Sequence, residues 1–301
     1  MSFGLILPIQ ARGTSLEDLI SELVEEAVAA EAAGFEGVYL PEFHQARGGA
    51  LVSPLMLLAV FAARTTRIRL GTLVAAAPLY DPVRLAEDAL TLKQVSGGRL
   101  ILGLGSANVD FELFGRSRAE RFKALDVALD VLDAAFTGEP FDVHGRRGQM
   151  TGANGTRPPI WIGAHGPRGL RRAAERGDAW VCDPQRDIAT VARLADEYRA
   201  YGGKDVVLFR EAWVGDPSDW ITHANKVHRL YLNLGVYPEP VEDFAPGRFL
   251  CGPDVRGTAN EWMALTGASH IAVRMRQPTG PSHAATLEAI ARFGDEVIRR
   301  P

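Results

Sequence analysis

Short apolar runs and amphipathic helices alternate along this chain from one end to the other, and few folds accommodate that pattern. Phe3–Pro8 opens it, because a brief apolar run closed by proline suits a strand covered on both faces. Leu16, Leu19, Ile20, Leu23, Val24, Ala27 and Val28 then recur at helical spacing. Ser15 can cap that helix, with Asp18 three residues on, and Gly34 stops it. The same reading predicts further strands at 37–40, 68–74, 99–104, 159–163, 179–182, 206–214 and 270–275. It predicts helices at 54–64, 82–95, 118–136, 166–176, 188–201 and 284–298, and a mostly helical stretch over 218–265 interrupted around Pro238–Pro240.

Eight strands, each followed by a helix, in 301 residues give the count and length of a (β/α)8 TIM barrel. An open doubly wound sheet is the alternative, since alternation does not say whether the sheet closes. No linker, charge block or low-complexity stretch divides the chain, so one domain over residues 1–301 is expected. The Gly- and Arg-rich gap from Gly138 to Pro159 is expected as a loop excursion beside the C-terminal mouth.

Apolar residues at 47% and charged residues at 23% exclude a disordered or membrane chain. With Lys+Arg 33 against Asp+Glu 37, a net charge of −4 offers no basic face for nucleic acid. Cys182 and Cys251 form no CxxC pair, so neither a disulfide framework nor a cysteine metal site is readable. The longest apolar run, Leu55–Ala63, is about half of what a membrane-spanning helix needs, and the first residues lack a charged leader. A cytoplasmic protein is expected. His144, His223 and His228 show no ligand-type grouping and none of the four lysines ends a predicted strand, so neither a metal nor a Schiff base is expected.

In such a barrel the chemistry sits where strands give way to loops at the C-terminal face. That directs attention to residues 10–12, 42–44, 73–78, 105–110, 164–168, 213–216 and 274–277, and to Asp183. Tyr39-Leu40-Pro41-Glu42-Phe43-His44 ends a strand in a carboxylate and an imidazole. Gly71-Thr72-Leu73-Val74 follows, then Asp81-Pro82-Val83-Arg84 at a helix start, then Gly98-Arg99 and a strand ending in Gly103-Leu104-Gly105. Asn108 stands where a dinucleotide motif needs its third glycine, so that segment is no such motif.

This order resembles the bacterial luciferase-like monooxygenase family. Residues 111–115, 159–163, 210–214, 248–253 and 270–274 resemble its later landmarks, so the likeness covers essentially the whole chain. The resemblance implies a TIM barrel, a homodimer, and reduced FMN from a separate flavin reductase at the mouth, acting with oxygen on a small organic substrate. A deazaflavin coenzyme, F420, performing hydride transfer is the alternative. A flavin-binding barrel without turnover is a third reading.

By the same resemblance the flavin face rests on Leu73 and Val74, joined by a non-prolyl cis peptide in place of an ordinary buried strand. Gly105 and Ser106 would line the flavin tail. Ala164, His165, Gly166 and Arg168 lead into a helix whose N-terminus suits a phosphate, the other reading being a surface turn. Arg121 would reach that phosphate or face solvent. Glu42 would bond a flavin ring nitrogen or the barrel's own backbone. The family usually has Glu-His-His on strand two, and this chain carries Phe43 at the first histidine. Either His44 takes over the acid–base work or the chemistry relies on flavin and water. Phe43 and Tyr80 are the expected substrate-pocket residues. The segments 45–51, 141–157 and 238–248 are expected lids, with no readable specificity.

Overall fold

Eight parallel strands run β1 Ser2–Ile6, β2 Gly37–Leu40, β3 Arg69–Thr72, β4 Leu100–Gly105, β5 Ile160–Gly163, β6 Ala179–Val181, β7 Asp205–Ala212 and β8 His270–Arg274. Each pairs with the next, β8 pairs with β1, and β4 pairs with β5 through Leu102 and Ile160, so the sheet closes. This computed structural model describes residues 1–11, 13–44, 50–51, 53–151, 157–233 and 248–299. The fold is the single-domain (β/α)8 barrel, and the open-sheet alternative is excluded by the β4–β5 pairing.

The helices are α1 Leu16–Ala33, α2 Pro54–Arg64, α3 Pro82–Val95, α4 Arg121–Thr137, α5 Pro167–Arg176, α6 Ile188–Ala200, α7 Ser218–Asn233, α8 Val255–Thr266 and α9 His283–Phe293. Local chemistry sets their ends. The Ser15 hydroxyl accepts the Asp18 amide, the Asp81 carboxylate accepts those of Val83 and Arg84, and Gly34 turns α1 off with φ 95°. The expected interruption around Pro238–Pro240 lies outside the described residues.

Alternation along each strand separates two cores. Leu5, Val38, Leu70, Leu102 and Ile162 face the helices, while Ile6, Ile101, Val181, Val207 and Ala272 fill the barrel. The lower end is plugged by Tyr39, Trp161 and His270, whose rings lie 5.3–5.7 Å apart. Burial, with Arg69 nearby, pushes His270 down to about 3, so its ring is neutral when it meets Ser2 Oγ and the Tyr39 hydroxyl.

One loop expectation is corrected. The excursion after Gly138 follows the C-terminal end of α4, and helices return the chain to the N-terminal rim of the barrel. Its hairpin, Pro140–Val143 against Arg146–Gln149, packs on α4, and Arg157 pairs with Asp178 just before β6. It therefore cannot act as a lid over the mouth. The other two expected lids lie mostly outside the described residues.

A charged cluster pins the barrel's seam. Arg276, just beyond β8, binds Glu22 and Glu26 of α1, and the His283 ring bonds Glu26 and Glu25 at 2.9 Å each. The bond to buried Glu26 raises His283 to about 9 against the opposing effect of burial. A raised folded-state pKa means stability fully present below the unfolded value near 6.5 and lost as pH rises through about 9. We expect unfolding free energy to fall by about 1 kcal/mol across that window, discounted because the ring is partly solvated. Urea titrations at several pH values, compared with His283→Gln, check this; an equal fall in the variant contradicts it.

Candidate active site

The ends of β2 through β8 surround one cavity at the C-terminal mouth. Its floor is made by the turn after β3, where Leu73 and Val74 are joined by a cis peptide, the geometry that the family resemblance implied. Val74 projects between β4 and β5 because neither strand has a side chain there. A methyl group added at Gly105 would lie 2.6 Å from Val74 Cγ2, and one at Gly103 would lie 2.0 Å from the Thr72 carbonyl oxygen. Glycine is required at both for close approach.

Beside this floor, Glu42 gathers two donors, with the His44 ring close by. One carboxylate oxygen accepts the Ala76 amide at 2.6 Å; the other accepts the Tyr80 hydroxyl and stands 3.3 Å from His44 Nε2. Burial, together with the Glu42 charge, pushes the Tyr80 hydroxyl far above its usual range, so it stays a donor. The His44 ring meets Phe114 edge-on with centroids 4.5 Å apart, and its backbone amide donates to Asp110 at 3.3 Å. Asp110 holds φ 70° in the loop after β4, a conformation uncommon outside glycine that clusters at functional sites.

Across the cavity, His165 Nδ1 lies 3.1 Å from Asp183. Burial raises the Asp183 carboxyl, but His165, the Gln185 amide and Arg186 outweigh it and hold it below the ordinary carboxylate range. Between β7 and β8, Glu211 and Arg274 stand in register and form a fully enclosed ion pair. Gln277 also donates to Glu211, and His228 Nε2 approaches it at 3.3 Å. Burial raises the Glu211 carboxyl, but Arg274 and His228 together outweigh it and hold it below the usual carboxylate range, while burial pushes His228 down.

The structure brings Glu42, Phe43, His44, Leu73, Val74, Gly105, Ser106 and His165 to this one cavity. Tyr80 lines an adjoining depression with Ser53 and Phe114 and reaches the main cavity through Glu42. Ala164 is buried beside it, its carbonyl accepting the Trp180 indole N–H at 3.0 Å. Gly166 is the N-cap of α5 with no side-chain cap, and Arg168 is exposed in the first turn. Arg121 is not brought to the cavity: it opens α4, donates to the Arg118 carbonyl at 2.9 Å and lies 4.3 Å from the Phe122 ring. Asp110, Asp183, Glu211 and Arg274 had no role from the sequence. Their one signal was position, at or just past a strand's end. No group of three or more metal-type ligands occurs among the described residues, and none of the helices is long and apolar enough to cross a membrane.

Over residues 1–289 the sequence matches the luciferase-like monooxygenases. The chain belongs to the luciferase-like monooxygenase family. It is 31% identical over 213 residues to the 4-hydroxyprotoasukamycin monooxygenase of Streptomyces nodosus subsp. asukaensis, covering 66% of this chain and 57% of that one. It is 32% identical over 178 residues to the F420-dependent glucose-6-phosphate dehydrogenase of Nocardia farcinica, covering 54% of this chain and 52% of that one. The chain thus spans a little over half the length of these two relatives. In structure it resembles the oxygenating constituent of 3,6-diketocamphane monooxygenase from Pseudomonas putida, solved with FMN, at TM-score 0.80 and 16% identity over 99% of this chain and 98% of that one.

Glu42→Ala strands the Ala76 amide and the Tyr80 hydroxyl together, and we expect a loss of about 2–4 kcal/mol, against about 1 kcal/mol for Tyr80→Phe. Denaturant unfolding of the two variants measures the difference, and equal losses would show that Glu42 does not hold the floor. Gly105→Ala is expected to cost about 1–3 kcal/mol through overpacking on Val74, relieved in part by adding Val74→Ala.

Proposed function

We propose that this chain is a flavin-dependent monooxygenase that takes reduced FMN from a separate reductase and, with oxygen, oxidises a small organic substrate. The observation that carries the reading is the cavity floor. Val74 rises there into the space that Gly105 and Gly163 leave open, and the apolar surface it presents to the cavity suits a flat ring. The uncapped start of α5 at Gly166 supplies backbone N–H groups for a phosphate, with His165 beside it. These residues fit the cofactor.

Bound there, the flavin would supply the redox chemistry. The chain's own work is to bind, orient, exclude water and move protons. Leu73, Val74, Gly105 and Ser106 form the resting surface. His44 is the side chain that holds or passes a proton, with the Glu42 carboxylate 3.3 Å from its Nε2. Phe43 contributes an apolar wall and no proton. We place the working enzyme in the cytoplasm as a homodimer, consistent with two free cysteines.

The second reading, hydride transfer with F420, is favoured by the likeness to the F420-dependent dehydrogenase. Phe43 weighs against it, because that branch of the family usually keeps histidine there. Anaerobic titration with reduced FMN and with reduced F420, followed by admission of air, separates the two. Tighter binding of reduced FMN and rapid reoxidation by oxygen are expected; preference for F420 with no oxygen reaction overturns the monooxygenase. In the FMN assay His44→Ala is expected to lower turnover about 10²-fold while changing flavin affinity by less than about threefold. Parallel losses of both would remove the acid–base role.

A further inference from the structure

The ion pair between β7 and β8 lies in the top layer of the barrel, above the apolar layer of Ile101, Val207 and Ala272. Glu211 is fully buried and Arg274 is 3% exposed, so both charges have left water. Replacing such a pair by apolar residues of similar volume is often neutral or stabilising, and stability therefore gives no reason to keep it. What the pair does achieve is placement. Arg274 donates through Nε and one terminal nitrogen to a single Glu211 oxygen, and its guanidinium lies 5.0 Å from the Phe209 ring centroid. Gln277 donates to the other Glu211 oxygen, and His228 backs the first from α7. Three side chains from a strand, a loop and a helix thus fix one guanidinium plane.

Arg274 lines the cavity wall, with Phe209 beside it. The acidic side chains of the wall are Glu42, Asp110 and Asp183, and Arg274 is the one arginine or lysine among the described lining residues. Its carboxylate partner, Glu211, lies behind it and is not among the lining residues, so what the β7–β8 side presents to the cavity is the guanidinium.

We propose that Arg274 is an oxyanion-binding residue of this cavity and that Glu211, supported by Gln277 and His228, is its positioning residue. The ligand chemistry is a planar, delocalised oxyanion. Two sources present it: the pyrimidine edge of a reduced flavin ring, or the phenolate or enolate of a substrate. A rigid guanidinium suits either through charge-assisted hydrogen bonds. The proposal rests on the cavity being the flavin site, and the wild-type protein's binding of FMN tests that reading by itself.

The experiment compares wild type with the double variant Glu211→Leu, Arg274→Met, which removes both charges without orphaning either, and with Arg274→Lys, which keeps the charge and loses the planar fork. Thermal unfolding verifies that each folds; if the double variant does not, Arg274→Lys and Glu211→Gln decide. The probes are oxidised FMN, chemically reduced FMN and 4-nitrophenol, whose absorbance distinguishes phenol from phenolate. A loss of about tenfold or more in the preference for reduced over oxidised FMN supports the proposal with the flavin ring as the oxyanion. Unchanged flavin preference with a loss of about tenfold in nitrophenolate binding supports it with the substrate as the source. Arg274→Lys should fall between wild type and the double variant in whichever arm responds. If wild type binds no FMN, the flavin reading fails and the nitrophenolate arm alone decides. Folded variants that bind every probe as wild type does overturn the proposal, leaving the pair a purely structural one.

Discussion

The Glu42 carboxylate ties the end of β2 to the turn after β3, and the shape of the mouth depends on that tie. By accepting the Ala76 amide it holds the backbone just past Val74, and by accepting the Tyr80 hydroxyl it anchors the approach to α3. His44, 3.3 Å away, is then oriented by a group already fixed from two other directions. A buried carboxylate is costly without donors, and here each donor comes from an element the site needs in place. The floor follows: with the turn held, Val74 enters the space that Gly103, Gly105 and Gly163 leave open.

The same device recurs around the cavity with different partners. Asp183 is held by the Gln185 amide and orients His165; Glu211 is held by Gln277 and His228 and orients Arg274. In each case a buried acid at a strand end fixes a nitrogen-bearing side chain facing the mouth. Groups held this way bind a ligand with little loss of rotamer freedom, which is how a rigid barrel turns strand-end positions into a site. The lower half does the opposite work. There the neutral His270, Tyr39 and Trp161 close the barrel, and the Arg276–Glu26–His283 cluster locks its last helix to its first.

Much of the fold was legible because period and punctuation agree in this chain. Ser15, Asp81, Gly34 and Gly138 mark helix ends in the sequence and cap helices in the structure. The turn at Leu73–Val74 was reachable through family resemblance; nothing in the composition of that strand announces a cis peptide. The Gly138–Pro159 gap was placed on the wrong rim, because glycine and arginine content says that a segment is a loop and not which end of a helix it leaves. Pairings across the barrel were not legible at all. Residues 211 and 274, or 165 and 183, are brought together only by register and strand order. Glu42 left two readings open, and its bond to the Ala76 backbone answers the structural one while its contact with His44 keeps it in the site.

The proposed function sets a flavin ring on Val74, within reach of His44 and Arg274. The most direct test is a crystal structure of the protein with FMN. Ring density is expected against the Leu73–Val74 turn and phosphate density at the N-terminus of α5. Density elsewhere on the barrel, or a ring held away from that turn with Val74 in contact only with protein, would contradict it.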